Sequence, residues 1–295
     1  MDLAAIPRHH VFTPQHPLYP ERLRELHVPP PKLYAQGRLE LLRAPCLAIV
    51  GSRNCTAHGA HDARQFARAL SQAGLCIVSG LAHGVDAAAH RGALEGGGGS
   101  IAVLGTGIDI DYPDSNAELA QRLRTEGCVV TEFEPGTPPR PWHFPRRNRL
   151  IGGLSLGVLV VEATLKSGTM STVHAALDMG VDVFAIPGSI HSTLSKGCNK
   201  LIREGAKLVE TAAHVIEDLR LPPGVELAAL PAETALASRP DPSAVLQALG
   251  ESPMSMDQVV FATGWPVSRV AAELSRLQVS RHVVALPGGW YQRTL

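Results

Sequence analysis

Net charge is absent from this chain: its 27 Lys and Arg are matched by 27 Asp and Glu. That balance excludes a protein that coats nucleic acid diffusely, so any polyanion site must be local. Aromatic residues are scarce, at 4% of 295 residues, and charged residues make up only 18%. The five cysteines, Cys46, Cys55, Cys76, Cys128 and Cys198, form no C-x-x-C pair. Their odd number suits reduced thiols rather than a disulfide framework. The start, MDLAAIPRHHVF, lacks the apolar centre of a signal peptide, and the longest uncharged apolar run, Leu150 to Val161, is too short to span a bilayer. A cytoplasmic protein with no membrane partner is expected. A P-loop is missing, and no G-x-G-x-x-G follows an apolar run; where a ribose-binding acid would sit, the chain reads Ser79-Gly80. Dinucleotide binding therefore fits poorly, and no cofactor is expected.

One local absence carries more weight. Between Pro135 and Val161 there is no acidic residue, while Arg140, Arg146, Arg147 and Arg149 stand beside Trp142, His143 and Phe144. A cationic, aromatic block in a neutral chain reads as a surface for a polyanion, with Arg on phosphate and rings on bases. A solvated loop leading into an ordinary helix reads equally well from this stretch alone.

What is present elsewhere is alternation. Short apolar runs (CLAIV from Cys46, LCIVS from Leu75, IAVLG from Ile101, CVVTE from Cys128, VLVVEA from Val158, VDVFAIPG from Val181) alternate with helical periodicity. The helices are expected at Ala60–Ala73, Val85–Glu95, about Asn116–Glu126, 146–153, about Thr169–Met179, 197–204 and 211–219. Such alternation predicts a doubly wound α/β domain over about 45–220, with a mostly parallel sheet covered on both faces. Residues 1–44 form a Pro- and His-rich lead-in with one amphipathic piece, Pro20–Leu26, stopped by Pro29, Pro30 and Pro31. Residues 221–240 read as a Pro- and Ala-rich linker. In 241–295, three short helices (Pro242–Leu249, Ser255–Thr263, Pro266–Gln278) precede a hairpin across Pro287-Gly288-Gly289, the pattern of a small winged helix. Its would-be recognition helix carries Arg269 and Arg276 against Glu273, thin for reading duplex DNA, so a protein-contact module is the equal alternative.

Ligands of open α/β sheets bind beyond the carboxyl ends of the strands. Those ends carry Gly51-Ser52-Arg53, Ser79-Gly80, Gly105-Thr106-Gly107, and Lys166-Ser167-Gly168-Thr169 at a helix start. Small residues there offer backbone N–H groups to phosphate, and Arg53 and Lys166 add charge, so an anion-binding rim is expected. Two other signals are weaker. Gly153-Leu154-Ser155-Leu156-Gly157 matches G-x-S-x-G, but the helix precedes and the strand follows, the reverse of a nucleophile elbow. His83, Asp86 and His90 share a helix face, which fits a metal site or polar groups bonded beneath the second loop; without a fourth ligand no metal is expected.

Together the blocks IVGSR (49–53), SGLAHGVDAAAH (79–90), IAVLGTGIDIDYP (101–113), FPRRNRLIGGLS (144–155), VVEATLKSGTMST (160–172), VFAIPGS (183–189) and KGCNKLIREGAKLV (196–209) resemble the DNA-processing protein A (Smf) family. YPERLREL (19–26) and LYAQG (33–37) are similar to that family's lead-in. The resemblance implies an extended Rossmann fold, cooperative binding of single-stranded DNA, a homodimer, and a non-enzymatic role. That role is to protect incoming single-stranded DNA and load the RecA recombinase onto it in natural transformation, displacing or bypassing single-strand binding protein. It implies a DNA-binding site at Gly51, Ser52 and Arg53; Ser79 and Gly80; Phe144, Arg147 and Asn148; and Ser167, Gly168 and Thr169. Arg146, Arg149 and Lys166 supply further charge. His83 stands where most members carry Arg, which puts one phosphate contact in doubt. A helical N-terminal domain carried by many members is not expected before the lead-in. The alternative is a nucleotide-processing enzyme of the phosphoribohydrolase kind, which the glycine edge and Glu162 would suit. Thr172 stands where those enzymes carry a catalytic Glu.

Overall fold

The protein is described from a computed structural model that covers residues 9–230, 244–249, 253–280 and 282–294. The expected linker's residues 231–240 and the expected helix start at Pro242 lie outside the described residues. The chain divides into two compact units, residues 1–234 and 235–295.

The first unit is built on a nine-stranded sheet. Its strands are β1 (His10–Phe12), β2 (Leu33–Gly37), β3 (Cys46–Val50), β4 (Cys76–Ser79), β5 (Ser100–Val103), β6 (Cys128–Thr131), β7 (Gly157–Val160), β8 (Asp182–Ala185) and β9 (Lys207–Leu208). They lie in the order β1-β2-β6-β5-β4-β3-β7-β8-β9. From β6 through β9 every neighbouring pair is parallel. The lead-in, expected to stand apart, supplies β1 and β2, which extend the sheet antiparallel beyond β6. LYAQG is β2 itself, facing Thr131 to Cys128 of β6.

Helices α1 (Glu21–Arg24), α2 (Ala57–Gln72), α3 (Val85–Gly96), α4 (Ala117–Glu126), α5 (His143–Leu154), α6 (Thr169–Leu177), α7 (Lys196–Arg203) and α8 (Ala212–Asp218) accompany the sheet. Every residue of β3 to β7 is buried, which is why those strands read as unbroken apolar runs. The two-residue period divides β3 between two cores. Leu47 and Ile49 share one cluster with Phe66 and Leu70 of α2 and Ala89 of α3. Ala48 and Val50 share the other with Leu150 and Ile151 of α5. Each such Leu or Ile contributes about 1.5–3 kcal/mol by leaving water.

Successive strand–helix units step from β3 outward to β6, and the chain then returns through α5 to β7 on the other side of β3. The boundary between β3 and β7 is therefore the topological switch point, where the loops leaving the two strands diverge and open a crevice.

Residues 221–230, expected as the start of the linker, lie on the first unit instead. Leu221, Leu227 and Leu230 pack on the core that includes α2 and α8, and Ala228 N–H donates to Ala73 O at 2.9 Å. Leucines spaced among prolines hold this strap by apolar contact that composition alone does not reveal.

The second unit contains α9 (Ala244–Leu249), β10 (Met254–Ser255), α10 (Met256–Thr263), α11 (Val267–Val279), β11 (Val283–Leu286) and β12 (Trp290–Arg293). It has its own core of Val245, Leu246, Leu249, Val259, Val270, Leu274, Leu277 and Val283. A capping box, Ser255 with Gln258, starts α10. The expected winged-helix pattern is present, with β10 added as a third strand beside β12. Among the described residues no helix is long and apolar enough to cross a membrane.

Candidate nucleic-acid interface

A cleft of about 660 Å³ opens at the switch point. Gly51, Ser52, Arg53 and Asn54, leaving β3, form one side; Thr164, Ser167, Gly168 and Thr169, beyond β7, form the other. Phe144, Arg147 and Asn148 of α5 also line it. Two of the expected turns and part of α5 thus meet in one place, while Ser79, Gly80, Arg146, Arg149 and Lys166 lie outside this lining.

The two loops are tied together. Ser52 N–H donates to Glu162 O at 2.7 Å, and Thr169 Oγ1 donates to Gly51 O at 3.0 Å. Glu162 also turns its carboxylate to the start of α2, taking Thr56 N–H at 2.9 Å and Thr56 Oγ1 at 2.7 Å. A carboxylate at a helix N-terminus is a capping group. Asn148 links α5 to the far loop, its amide donating to Gly168 O at 3.3 Å and Ser171 Oγ at 2.7 Å.

The aromatic end of the cleft centres on Phe144. Its ring lies 5.6 Å from that of Tyr112, and the Arg53 guanidinium sits 5.3 Å from its centroid. Gly105 lies beneath: a Cβ there would stand 2.9 Å from the ring, so a side chain would displace the platform. Exposed Arg53 and Tyr112 and partly exposed Phe144 offer a cation beside π faces, the combination that holds stacked bases and their phosphates. Tyr112 was not singled out from sequence. Its signal was a Tyr-Pro pair just past a strand end in a chain poor in aromatics.

Several expected contacts take other roles. Arg147 is only 3% exposed; Nη1 donates to Gly80 O at 2.7 Å and to Val103 O, and Nε donates to Asn148 Oδ1 at 3.1 Å. It ties the ends of β4 and β5 to α5 rather than standing free for phosphate. Gly80 leaves room for this, because a Cβ would meet the guanidinium. Burial brings Arg147 down to about 10, against the opposing pull of Asp86. Burial likewise raises Asp86, opposed by the Arg147 charge and by the amides of Gly80 and Ala82, which donate to its Oδ2 at 3.1 and 3.3 Å. The Gly80 amide is therefore occupied, and Ser79 is fully buried with its hydroxyl donating to Ile49 O at 2.7 Å. This second turn is a supported loop, not an open anion cradle.

His90 completes the support. Ser100 Oγ donates to Ile77 O at 2.9 Å, so it accepts from His90 Nδ1 at 2.8 Å, leaving Nε2 to accept Leu81 N–H at 3.3 Å. Leu81 holds a left-handed φ of 57° there. Burial pushes His90 down to about 3, so the ring is neutral. Asp86 and His90 are thus the polar groups beneath the loop, and exposed His83 stands apart from them, with Nδ1 3.3 Å from Ser115 Oγ.

Arg146 and Arg149 do not line the cleft. Both reach Oε2 of buried Glu132, Arg146 at 3.2 Å, and Arg149 also donates to Val28 O at 2.5 Å. On a helix, residues three apart share a face, so these two follow Glu132 while Arg147 points elsewhere. Lys166 is exposed on the loop after β7, outside the cleft lining. Ser155 is buried, its hydroxyl donating to Ile151 O at 2.8 Å. In the second unit, Arg269 stacks 3.7 Å from the Trp265 centroid and Arg276 is forked on Glu273.

Comparison with known proteins gives a consistent result. The family model described as DNA recombination-mediator protein A matches residues 10–220, and that of the DprA winged helix domain matches 227–289. DNA processing protein DprA of Streptococcus pneumoniae is 46% identical over 200 residues, covering 68% of this chain and 71% of that protein. Protein Smf of Escherichia coli is 38% identical over 290 residues, covering 96% and 77%. Among solved structures, DNA processing protein A of S. pneumoniae matches with a TM-score of 0.70 and 43% identity over 73% of this chain and 76% of that one. DNA processing protein A of Helicobacter pylori, whose structure concerns its single-stranded DNA binding mode, matches with a TM-score of 0.66 and 30% identity over 72% and 98%. This chain belongs to the DNA recombination-mediator protein A (DprA/Smf) family of DNA-processing proteins.

Proposed function

We propose that the chain binds single-stranded DNA along the cleft between β3 and β7, protects it, and loads a RecA-type recombinase onto it during transformation or recombination. The observation that carries this reading is the Arg53–Phe144–Tyr112 platform beside the hydroxyl- and glycine-lined loops. Bases stack at one end, while Ser52, Ser167, Gly168 and the exposed Lys166 approach the backbone at the other. Duplex bases are stacked on each other and closed to such a platform, which favours the single strand. The work is done in the cytoplasm by a homodimer, without cofactor or metal. Single-strand binding protein is the competitor on the DNA. For the second unit, engagement of Arg269 and Arg276 within the unit favours a protein partner over duplex DNA.

The reading is non-enzymatic. Thr172 stands where a phosphoribohydrolase carries its catalytic Glu, and Glu162, the acid at this edge, is turned to the start of α2 and held by Thr56. Incubation with nucleoside monophosphates should release no base; release that disappears in Glu162→Gln would establish the enzyme instead. The loading activity is tested by adding the chain to single-stranded DNA coated with single-strand binding protein and following recombinase ATPase. A shortened lag in the presence of the chain is expected, and an unchanged lag contradicts loading.

A further inference from the structure

We propose that Arg140 and Trp142 form a second stacking site for a nucleobase at the rim of the cleft, so that a single strand leaving the Phe144 platform is held again over the indole. This rests on the single-strand reading above. Trp142 is 63% exposed. A lone apolar residue on a surface is ordinary, but position, rigidity and charge set this one apart. Pro141, Phe144 and Pro145 line the cleft, and Trp142 stands in the chain between the first two. Residues two apart at a helix entry do not face the same way, so the indole presents a face of its own rather than widening the Phe144 ring.

The ring is held in place before any ligand arrives. His143 N–H donates to Arg140 O at 3.0 Å, closing a turn with Pro141 and Trp142 at its corners. Trp142 has φ −77° and ψ −11°, close to the second corner of a type I turn, and Pro141 occupies the first corner, where its fixed φ is favoured. Beneath the turn, buried His143 stacks 4.3 Å from the Phe133 centroid and donates from Nδ1 to Gly105 O at 3.1 Å. Trp142 meets that imidazole edge-on at 5.9 Å. Gly105 also lies beneath Phe144, so the two rings share one support. A ring fixed in this way loses little freedom when a base covers it. Arg140 supplies the charge: it is exposed, with its guanidinium 5.5 Å from the indole centroid, repeating the Arg53–Phe144 pair at 5.3 Å. Arg146 and Arg149 are instead held by Glu132. Stacking on the indole accepts any base, because every base has a π face, and the cation beside it meets the adjoining phosphate.

The test titrates the full chain with an oligothymidylate over a range of salt, followed by fluorescence anisotropy and by tryptophan emission. Trp142→Ala should bind about 5- to 150-fold more weakly than the native chain. Trp142→Phe, which keeps a ring, should recover most of the affinity, and Arg140→Ala should lower the salt slope by about 0.7. A base stacked on the indole quenches its emission, a signal that a merely structural role for Trp142 would not produce. The native chain should therefore dim on binding, and the Trp142→Phe chain, which keeps Trp265 and Trp290, should not. Native affinity in Trp142→Ala, or a quench that survives undiminished in Trp142→Phe, overturns the proposal while leaving the single-strand reading intact. If the native chain itself does not bind the oligothymidylate, the single-strand reading fails and takes the proposal with it.

Discussion

Arg147 donates from Nη1 to the carbonyl of Gly80 at 2.7 Å, joining residues 67 positions apart. The consequence is a division among the arginines near the cleft: a buried one supports the loop, and an exposed one, Arg53, lines the cleft with its guanidinium beside Phe144.

Loss of Arg147 should therefore register first as loss of stability. Arg147→Ala takes the donor from the buried carbonyls of Gly80 and Val103 and the attracting charge from Asp86, a defect that costs about 1–3 kcal/mol. Urea unfolding measures it, and adding Asp86→Asn should recover part of the loss. A change below about 1 kcal/mol in the single variant would show that the guanidinium is not a strut.

Arg53 and Phe144 should behave in the opposite way. Arg53→Ala should leave stability within about 0.5 kcal/mol, since it is a surface change, and lower the single-strand salt slope by about 0.7. Phe144→Leu keeps an apolar side chain over Gly105 but loses the stacking face, worth about 1–3 kcal/mol per base. Anisotropy titrations should show roughly 5- to 150-fold weaker binding. Unchanged affinity in both variants would place the DNA elsewhere.

Much of this was legible in the sequence, and what was missed has physical causes. The parallel sheet announced itself because strands buried on both faces must be apolar throughout, as in CLAIV. The glycine turns marked the strand ends, and at Gly51 a small residue is required, because a Cβ there would stand 2.9 Å from Glu162 O beyond β7. The roles of individual arginines were not legible. Arg146, Arg147 and Arg149 are close together in a run, but helical geometry sends two to Glu132 and one beneath Gly80, partners just past the ends of β6 and β4 that no local pattern reveals. The lead-in's contribution to the sheet was hidden for the same reason: β1 and β2 are short, and the pairing of β2 with β6 is nonlocal.

Acid should destabilise the first unit through His90. Its folded pKa of about 3 lies below the ordinary value near 6.5, so the unfolded chain binds the extra proton. The contribution is whole above about pH 6.5 and is lost as pH falls toward 3, amounting to about 2 kcal/mol by pH 5. Urea midpoints at pH 7 and 5 measure it, and His90→Gln should show a smaller difference between them. An equal difference would remove His90 from the explanation.

Cutting the chain after residue 234 keeps the Leu221, Leu227 and Leu230 strap on its core and removes the second unit. Gel shifts should then show single-strand binding retained. If the second unit meets a protein, weak duplex binding should be the same with and without it; a loss of duplex binding on truncation would assign duplex DNA to that unit instead.

The central claim is that the β3–β7 cleft holds a single strand through Arg53 and Phe144. Its most direct measurement is a competition titration of the full chain, bound to a labelled single-stranded oligonucleotide, with unlabelled single-stranded and duplex DNA of the same sequence. The account predicts that the single strand competes far better than the duplex, and that Arg53→Ala with Phe144→Leu abolishes the difference while the fold stays intact by circular dichroism. Equal competition by duplex, or an undiminished preference in the double variant, would contradict it.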